Sequence, residues 1–241
     1  MRRGVAAGTA TVLGAILFAG LSGCATRQQV APATARLVPS PLAGRPFDVV
    51  AGESQLIVLV YRAGPLAALG HNHVISCRCL TGTIHVPRDP MRASLDLRFA
   101  VGQLTVDDPG LRAARHSADF PPDVTQSARR GTRHNMLGAA LLNAAKFPEI
   151  ALRSAGLRPS PDGKPADVVA QVLVQIEGEW HAVGVPLRYQ IRGDEIVVTG
   201  AFPLKQTDLG LTPFSALGGG LQVSDGMQIR LRLVARLRRH S

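Results

Sequence analysis

Aromatic side chains are scarce in this sequence: Phe, Tyr and Trp together make up 4% of it, with a single Trp. A β-rich core with so few rings must be filled by aliphatic side chains or left partly empty. Catalytic signatures are missing as well. No G-x-S-x-G elbow occurs, so Ser215, Ser224 and Asp225 have no context that would join them to a histidine as a triad. The Gly-rich "LGGGLQ" at 217–222 lacks the Lys-Ser/Thr pair and the following helix of a phosphate loop, and H-E-x-x-H is absent. These absences argue for a binding protein and against an enzyme. Acidic residues are few, 17 against 27 Lys and Arg, for a formal net charge of +10.

One long apolar run is present. It extends from Val5 to Leu21 behind a basic Met-Arg-Arg and ends in Leu21-Ser22-Gly23-Cys24. A membrane-spanning helix needs about 20 predominantly apolar residues and this run is followed by no stop-transfer charge, so residues 1–23 read as a secretory leader. The Leu-Ser-Gly-Cys ending resembles the bacterial lipobox. That resemblance implies a periplasmic lipoprotein held to the bacterial membrane through Cys24, and Ala25 in place of Asp points to the outer membrane. An uncleaved anchor is the alternative. Residues 24–48, rich in Ala, Pro and Arg with neither helical nor strand periodicity, read as a flexible tether, and 49–241 as one domain large enough for its own core. Loss of Arg2 and Arg3 with the leader lowers the net charge by two. Export excludes nucleic acid as a partner, which leaves anionic lipid or lipopolysaccharide as a counter-surface, or simply a solvated arginine-rich face. Self-association as a homodimer is left open.

The domain reads as strands. "SQLIVLVYR" (54–62) is a β-branched apolar run, and "ASLDLRFAV" (93–101) alternates Leu95, Leu97 and Phe99 with Asp96 and Arg98. "DVVAQVLVQIEGEW", "VPLRYQI" and "EIVVTGAFPL" follow. In "MQIRLRLVARLR" Ile229, Leu231, Leu233, Ala235 and Leu237 share one face, Arg230, Arg232, Arg236 and Arg238 the other, with Val234 the exception. Short strands with Gly, Pro and Asp turns argue for an antiparallel barrel or sandwich. One helix is expected over "RHNMLGAALLNAAKFP" (133–148), closed by Pro148, and a weaker one over "PGLRAARHSADFPPD".

Five pieces in order, "DDPGLRAARHSADF", "NMLGAALLNAAKFPEIALRS", "GEWHAVGVPLRYQI", "GAFPLKQTDLGLTP" and "VSDGMQIRLRLVA", resemble the YceI family over about Gly52 to Ala235. The resemblance implies an all-β fold: an extended eight-stranded antiparallel lipocalin-like barrel, with one or two helices inserted between strands and an apolar interior for a polyisoprenoid chain. On that reading Leu56, Val58, Leu97, Phe99, Val172, Val174, Phe202, Ile229 and Leu231 line the interior. The ligand is an isoprenoid, of quinone or polyprenyl type, and no cofactor is required. Few aromatics and many Ala and Val favour a hollow barrel, with a barrel filled by Leu and Val as the alternative. The chain departs from the family in carrying Phe147 alone before Pro148, where an aromatic pair is usual.

That resemblance does not account for "LGHNHVISCRC" (69–79), which holds two of the 7 His and two of the 3 Cys. If 72–79 is a strand, His71 and His73 share a face about 6.6 Å apart, a span that two imidazoles can close on one metal ion, Zn or Cu. A zinc site using both histidines and both cysteines would need an extended span of about 26 Å to collapse, which only a sharp reversal near Ile75-Ser76 allows. His134 is the expected third ligand, with His116 and His181 behind it, and Cys77 and Cys79 as auxiliary thiolates. A metal-handling or redox-linked protein is therefore the alternative function. Imidazoles that merely bond backbone in a Gly-His-Asn-His turn are the plainer reading. Cys77 and Cys79 are either two small buried side chains or a strained, reducible disulfide, since same-face strand neighbours sit near the upper limit of about 6.8 Å for bridged Cα atoms.

Overall fold

The computed structural model describes residues 37–161, 163 and 167–239. The leader, Cys24 and the first part of the expected tether lie outside the described residues. Twelve strands form a single sheet: β1 (Arg45–Val49), β2 (Gln55–Ala63), β3 (His73–Cys77), β4 (Thr81–Val86), β5 (Ser94–Ala100), β6 (Thr105–Val106), β7 (Glu149–Pro159), β8 (Asp167–Ile176), β9 (Glu179–Arg192), β10 (Glu195–Lys205), β11 (Ser215–Ala216) and β12 (Leu221–Leu237). Two helices, α1 (Pro109–Ala113) and α2 (Gln126–Leu137), lie between β6 and β7. All pairings are antiparallel, and β1 meets both β4 and β12, so β1-β4-β5-β7-β8-β9-β10-β12 closes into an eight-stranded barrel of the lipocalin-like kind.

Three neighbouring strands break at one level. β1 passes into β2 through a 3-10 turn at Ala51–Glu53, β5 into β6 through another at Val101–Gln103, and β3 into β4 through Arg78 to Leu80. Below the break β1, β4 and β5 complete the ring. Above it β2, β3 and β6 pair with one another, and β2 keeps its place on β12 from Gln55↔Arg232 to Val60↔Met227. β6 has no further strand partner among the described residues. α2 packs against it instead, and Arg133 donates to the carbonyls of Leu104 and Gly102 at 3.0 and 2.7 Å. The helix thus covers the gap that the break leaves in the wall.

β2 reads as an unbroken apolar run because both of its faces are covered. Leu56, Val58 and Val60 face the barrel interior, while Leu59 packs outside with Val74 and Phe120. Val234, the exception to the alternation of β12, is 1% exposed because the turn at Ala51–Glu53 lies over it, its N–H donating to Ser54 Oγ and its carbonyl accepting from Val50 N–H. Burial of a long apolar side chain is worth about 1.5–3 kcal/mol, so these outward residues stabilise the sheet where a charged face would not.

Three expectations are corrected. The expected helix over 133–148 is helical only to Leu137: α2 starts earlier, capped by Thr125, whose Oγ1 accepts from Ala128 N–H, and Gly138 is already extended. Residues 139–147 are turns, as the left-handed Asn143 (φ 42°) shows, so Ala and Leu content alone overstated their helicity. The tether ends sooner than expected. β1 begins at Arg45, and before it Ser40 N–H donates to Ser154 O and Ser94 Oγ to Pro41 O. "DVVAQVLVQIEGEW" is two strands, not one, turned at Glu177-Gly178 with φ of 49° and 84°, the left-handed pair that suits a tight hairpin.

Candidate functional site

The barrel is hollow. A cavity of about 650 Å³ runs inside it, walled by inward residues of nearly every strand and capped by Ala128, Thr132 and Met136 of α2 and by Leu141 and Leu142 after it. All nine residues expected on the interior, Leu56, Val58, Leu97, Phe99, Val172, Val174, Phe202, Ile229 and Leu231, line it. Parity places them there: once one residue of a strand faces inward, every second one follows. β12 contributes to the wall from Leu221 to Leu233, a stretch of roughly 40 Å at about 3.4 Å per residue, so the cavity is elongated. Polar wall groups are few. Ser154 is one of them, and its Oγ accepts from Leu95 N–H.

A polar end of the cavity is formed by Arg62, His71 and His73. Leu69 beside them, 73% exposed, lines the cavity too, which places this end at the surface. His73 opens β3 with Ile75 on its inward parity, and His71 precedes it in the loop from β2. Between them Asn72 is buried and tied three ways: its Oδ1 accepts from Arg62 N–H, its Nδ2 donates to Asp119 O, and its carbonyl accepts from Arg112. The His-Asn-His spacing is therefore a pair of imidazoles held out by a buried amide between them. Their ring centroids are 4.4 Å apart at an interplanar angle of 64°.

Behind the histidines stands Asp107, which no expectation from the sequence included. It follows β6 in the left-handed region (φ 52°), a conformation that Asp tolerates better than most residues. Both Asp107 and Arg112 are 0% exposed. Asp107 Oδ1 accepts from Val74 N–H at 2.8 Å and from Arg112 Nη1 at 2.6 Å. Oδ2 lies 2.8 Å from His73 Nδ1 and 3.7 Å from His71 Nε2. Burial by itself would push the carboxyl up, but the His71 imidazole close by and the hydrogen bonds to His73 and the Val74 amide hold it well below the usual carboxylate range. A local signal was present in "VDDPGLR": Asp108 caps α1, accepting from Leu111 N–H ahead of Pro109, which left its neighbour Asp107 without a local role and Arg112 on the same short helix.

The other expected site residues fall elsewhere. His134 does not open a helix. It lies exposed in the last turn of α2, outside the cluster formed by His71, His73 and Asp107, as do His116 and His181. The third ligand-type group came instead from Asp107, 34 residues beyond His73, a separation at which sequence spacing carries no geometry. Cys77 and Cys79 are joined as a disulfide, so neither is an auxiliary thiolate for the histidines. The bridge closes because β3 ends at Cys77 and the chain turns, bringing the two Cα atoms to 5.3 Å, inside the bridging range that a continuous strand would strain. Asp225 is occupied in a turn, where it accepts from the N–H and Oγ1 of Thr207.

A comparison with protein families matches the YceI-like domain over residues 76–235, most of the barrel. The chain belongs to the YceI family. Among solved structures, BcnA of Burkholderia cenocepacia is 14% identical, with 78% of this chain and 99% of that one covered at a TM-score of 0.53, a likeness of fold. A polyisoprenoid binding domain from Saccharophagus degradans, described as implicated in plant cell wall breakdown, is 12% identical over 80% of this chain and 98% of its own, at a TM-score of 0.49. No curated protein matches the sequence. The YceI-like match begins at Ser76 and so leaves out "GHNH", while the structure places that motif on the wall of the same cavity.

Proposed function

We propose that this YceI-family protein binds a long apolar lipid of isoprenoid type inside its barrel and carries or sequesters it. The observation that carries the reading is the cavity: about 650 Å³, elongated, and predominantly apolar. That volume is ordinary for a ligand site, and the length suits an extended chain. Each methylene buried there would contribute about 0.8 kcal/mol, so a polyprenyl or quinone tail gains affinity along its length without a specific polar contact. Membership of the family, whose barrels are associated with polyisoprenoids, supports the choice of chain. The one cavity end with Arg62, His71 and His73 is the natural place for the lipid's polar head. Organic extraction of the purified protein followed by mass spectrometry should recover such a lipid near one per chain. Preparations that repeatedly yield none would overturn the proposal.

The binder is proposed to work in the periplasm, attached through an acylated Cys24 to the outer membrane. The leader and its Leu-Ser-Gly-Cys ending support this, and a Cys77–Cys79 disulfide suits an oxidising compartment. Several acyl chains on one cysteine anchor firmly, whereas a single chain holds only marginally. Cys24→Ser is expected to leave the barrel folded and to move the protein from the membrane to the soluble periplasmic fraction. Continued sedimentation with membranes after a high-salt wash would mean an uncleaved apolar anchor instead.

A further inference from the structure

His71, His73 and Asp107 bring three ligand-type atoms within 4.8 Å of one another, each from a different segment: the loop before β3, the first residue of β3, and the turn after β6. Two features of this cluster are unexplained by lipid binding. His71 Nε2 is buried with no hydrogen-bond partner among the described residues, an arrangement that folded proteins avoid unless something else occupies the partner position. Both imidazoles also converge on the same oxygen, Asp107 Oδ2, while Oδ1 is already used by Val74 and Arg112.

We propose that His71, His73 and Asp107 Oδ2 form a binding site for one divalent transition-metal ion of the zinc class, set in the wall of the lipid cavity. The donor set selects the class. Two imidazole nitrogens and one carboxylate oxygen suit Zn, Cu, Fe or Ni, whereas Ca and Mg take six or more oxygens. Bonds of about 2.0–2.2 Å in a tetrahedral shell put donor atoms roughly 3.3–3.5 Å apart. The two carboxylate–imidazole separations, 2.8 and 3.7 Å, bracket that spacing and the third pair lies within 4.8 Å, so side-chain adjustments complete it. The support is built in advance. Arg112 and the Val74 amide hold Asp107, and buried Asn72 holds the backbone between the two histidines, the kind of surrounding that orients ligands before a metal arrives. His71 and His73 line the cavity with Asp107 behind them, so the remaining coordination position faces inward. An oxygen at the polar end of a bound lipid would fill it; that clause rests on the lipid reading, whereas metal occupancy does not.

The test uses the purified full chain, stripped of metal by a chelator, with its disulfide intact, before and after lipid extraction. Isothermal titration with Zn2+ at pH 7 should show one tight equivalent in both preparations. His71→Ala removes a ligand that makes no hydrogen bond here, so the fold should stand, and zinc affinity should fall by at least about a hundredfold. His134→Ala should leave it unchanged. A second measurement needs no variant: imidazole NMR of the wild type should show two of the 7 His resonances shifting on addition of one equivalent of zinc. The site is refuted if His71→Ala retains wild-type affinity, if the wild type takes up no zinc, or if the shifting resonances belong to His116, His134 or His181. Because zinc is titrated with and without lipid, failure to recover a lipid leaves this result untouched, and absence of zinc leaves the lipid reading untouched.

Discussion

Asp107→Ala should cost about 3–5 kcal/mol of stability, measured by urea unfolding at pH 7, the size expected when one partner of a buried ion pair is removed. Both Asp107 and Arg112 are wholly buried, and their contact is 2.6 Å. Without the carboxylate, Arg112 keeps its bonds to the carbonyls of Asn72 and Pro121 but loses the charge that offsets its own burial. The Val74 N–H loses its acceptor at the same time, and alanine is disfavoured at φ 52°. The sign of the pH dependence follows from the lowered pKa of Asp107. Its contribution is fully present above the unfolded carboxylate value of about 3.9 and is lost as pH falls through the folded value, so pH 7 reads the whole effect. Replacing both partners, Asp107→Ala with Arg112→Met, should recover part of the loss because no lone charge then remains buried. A single-variant cost below about 1 kcal/mol would show that Arg112 is neutralised by something else.

Val172→Trp should abolish lipid binding while leaving the barrel folded. Val172 faces the cavity from the middle of β8, opposite Val183 and Ser154 on the flanking strands. In a filled core an added indole would force its neighbours aside at a cost of about 1–3 kcal/mol. In this hollow barrel the ring has empty volume to enter, so the thermal midpoint should hold or rise. The ligand loses that volume. Displacing only two methylenes, at about 0.8 kcal/mol each, already weakens binding by roughly tenfold, and a large ring in a narrow cavity displaces more. Lipid recovered per protein, with the melting temperature measured alongside, decides the matter. Unchanged lipid content in a destabilised variant would mean that the lipid lies outside the barrel and that the interior is merely packing.

The alternation in β12 was legible because it is a local property. Each inward Leu or Ile and each outward Arg follows from a two-residue period, and the same holds for β5, β8 and β10, whose inward residues line the cavity. The continuous run of β2 was legible as a strand, but the cause of its apolar outer face was not. Leu59 is covered by Phe120, some sixty residues further on. The misplaced helix has a similar origin. Ala and Leu at 139–147 serve the cavity cap, where Leu141 and Leu142 face inward from turns, and burial overrides helix propensity there.

By itself the sequence determined several of the strands and their inward faces, the scarcity of rings that leaves the barrel hollow, and the pairing of His71 with His73 on one side of the chain. Those features depend on residues a few positions apart. The tertiary structure alone decided three others. It broke β1, β3 and β5 at one level, which turned Cys77 and Cys79 into a closable pair. It laid α2 over the resulting gap. It also carried the buried Asp107 and Arg112 in behind the histidines, making a four-residue cluster out of a two-residue motif. Each of these joins segments distant in the chain through a fold whose free energy is spread over the whole barrel, so no local pattern encodes them.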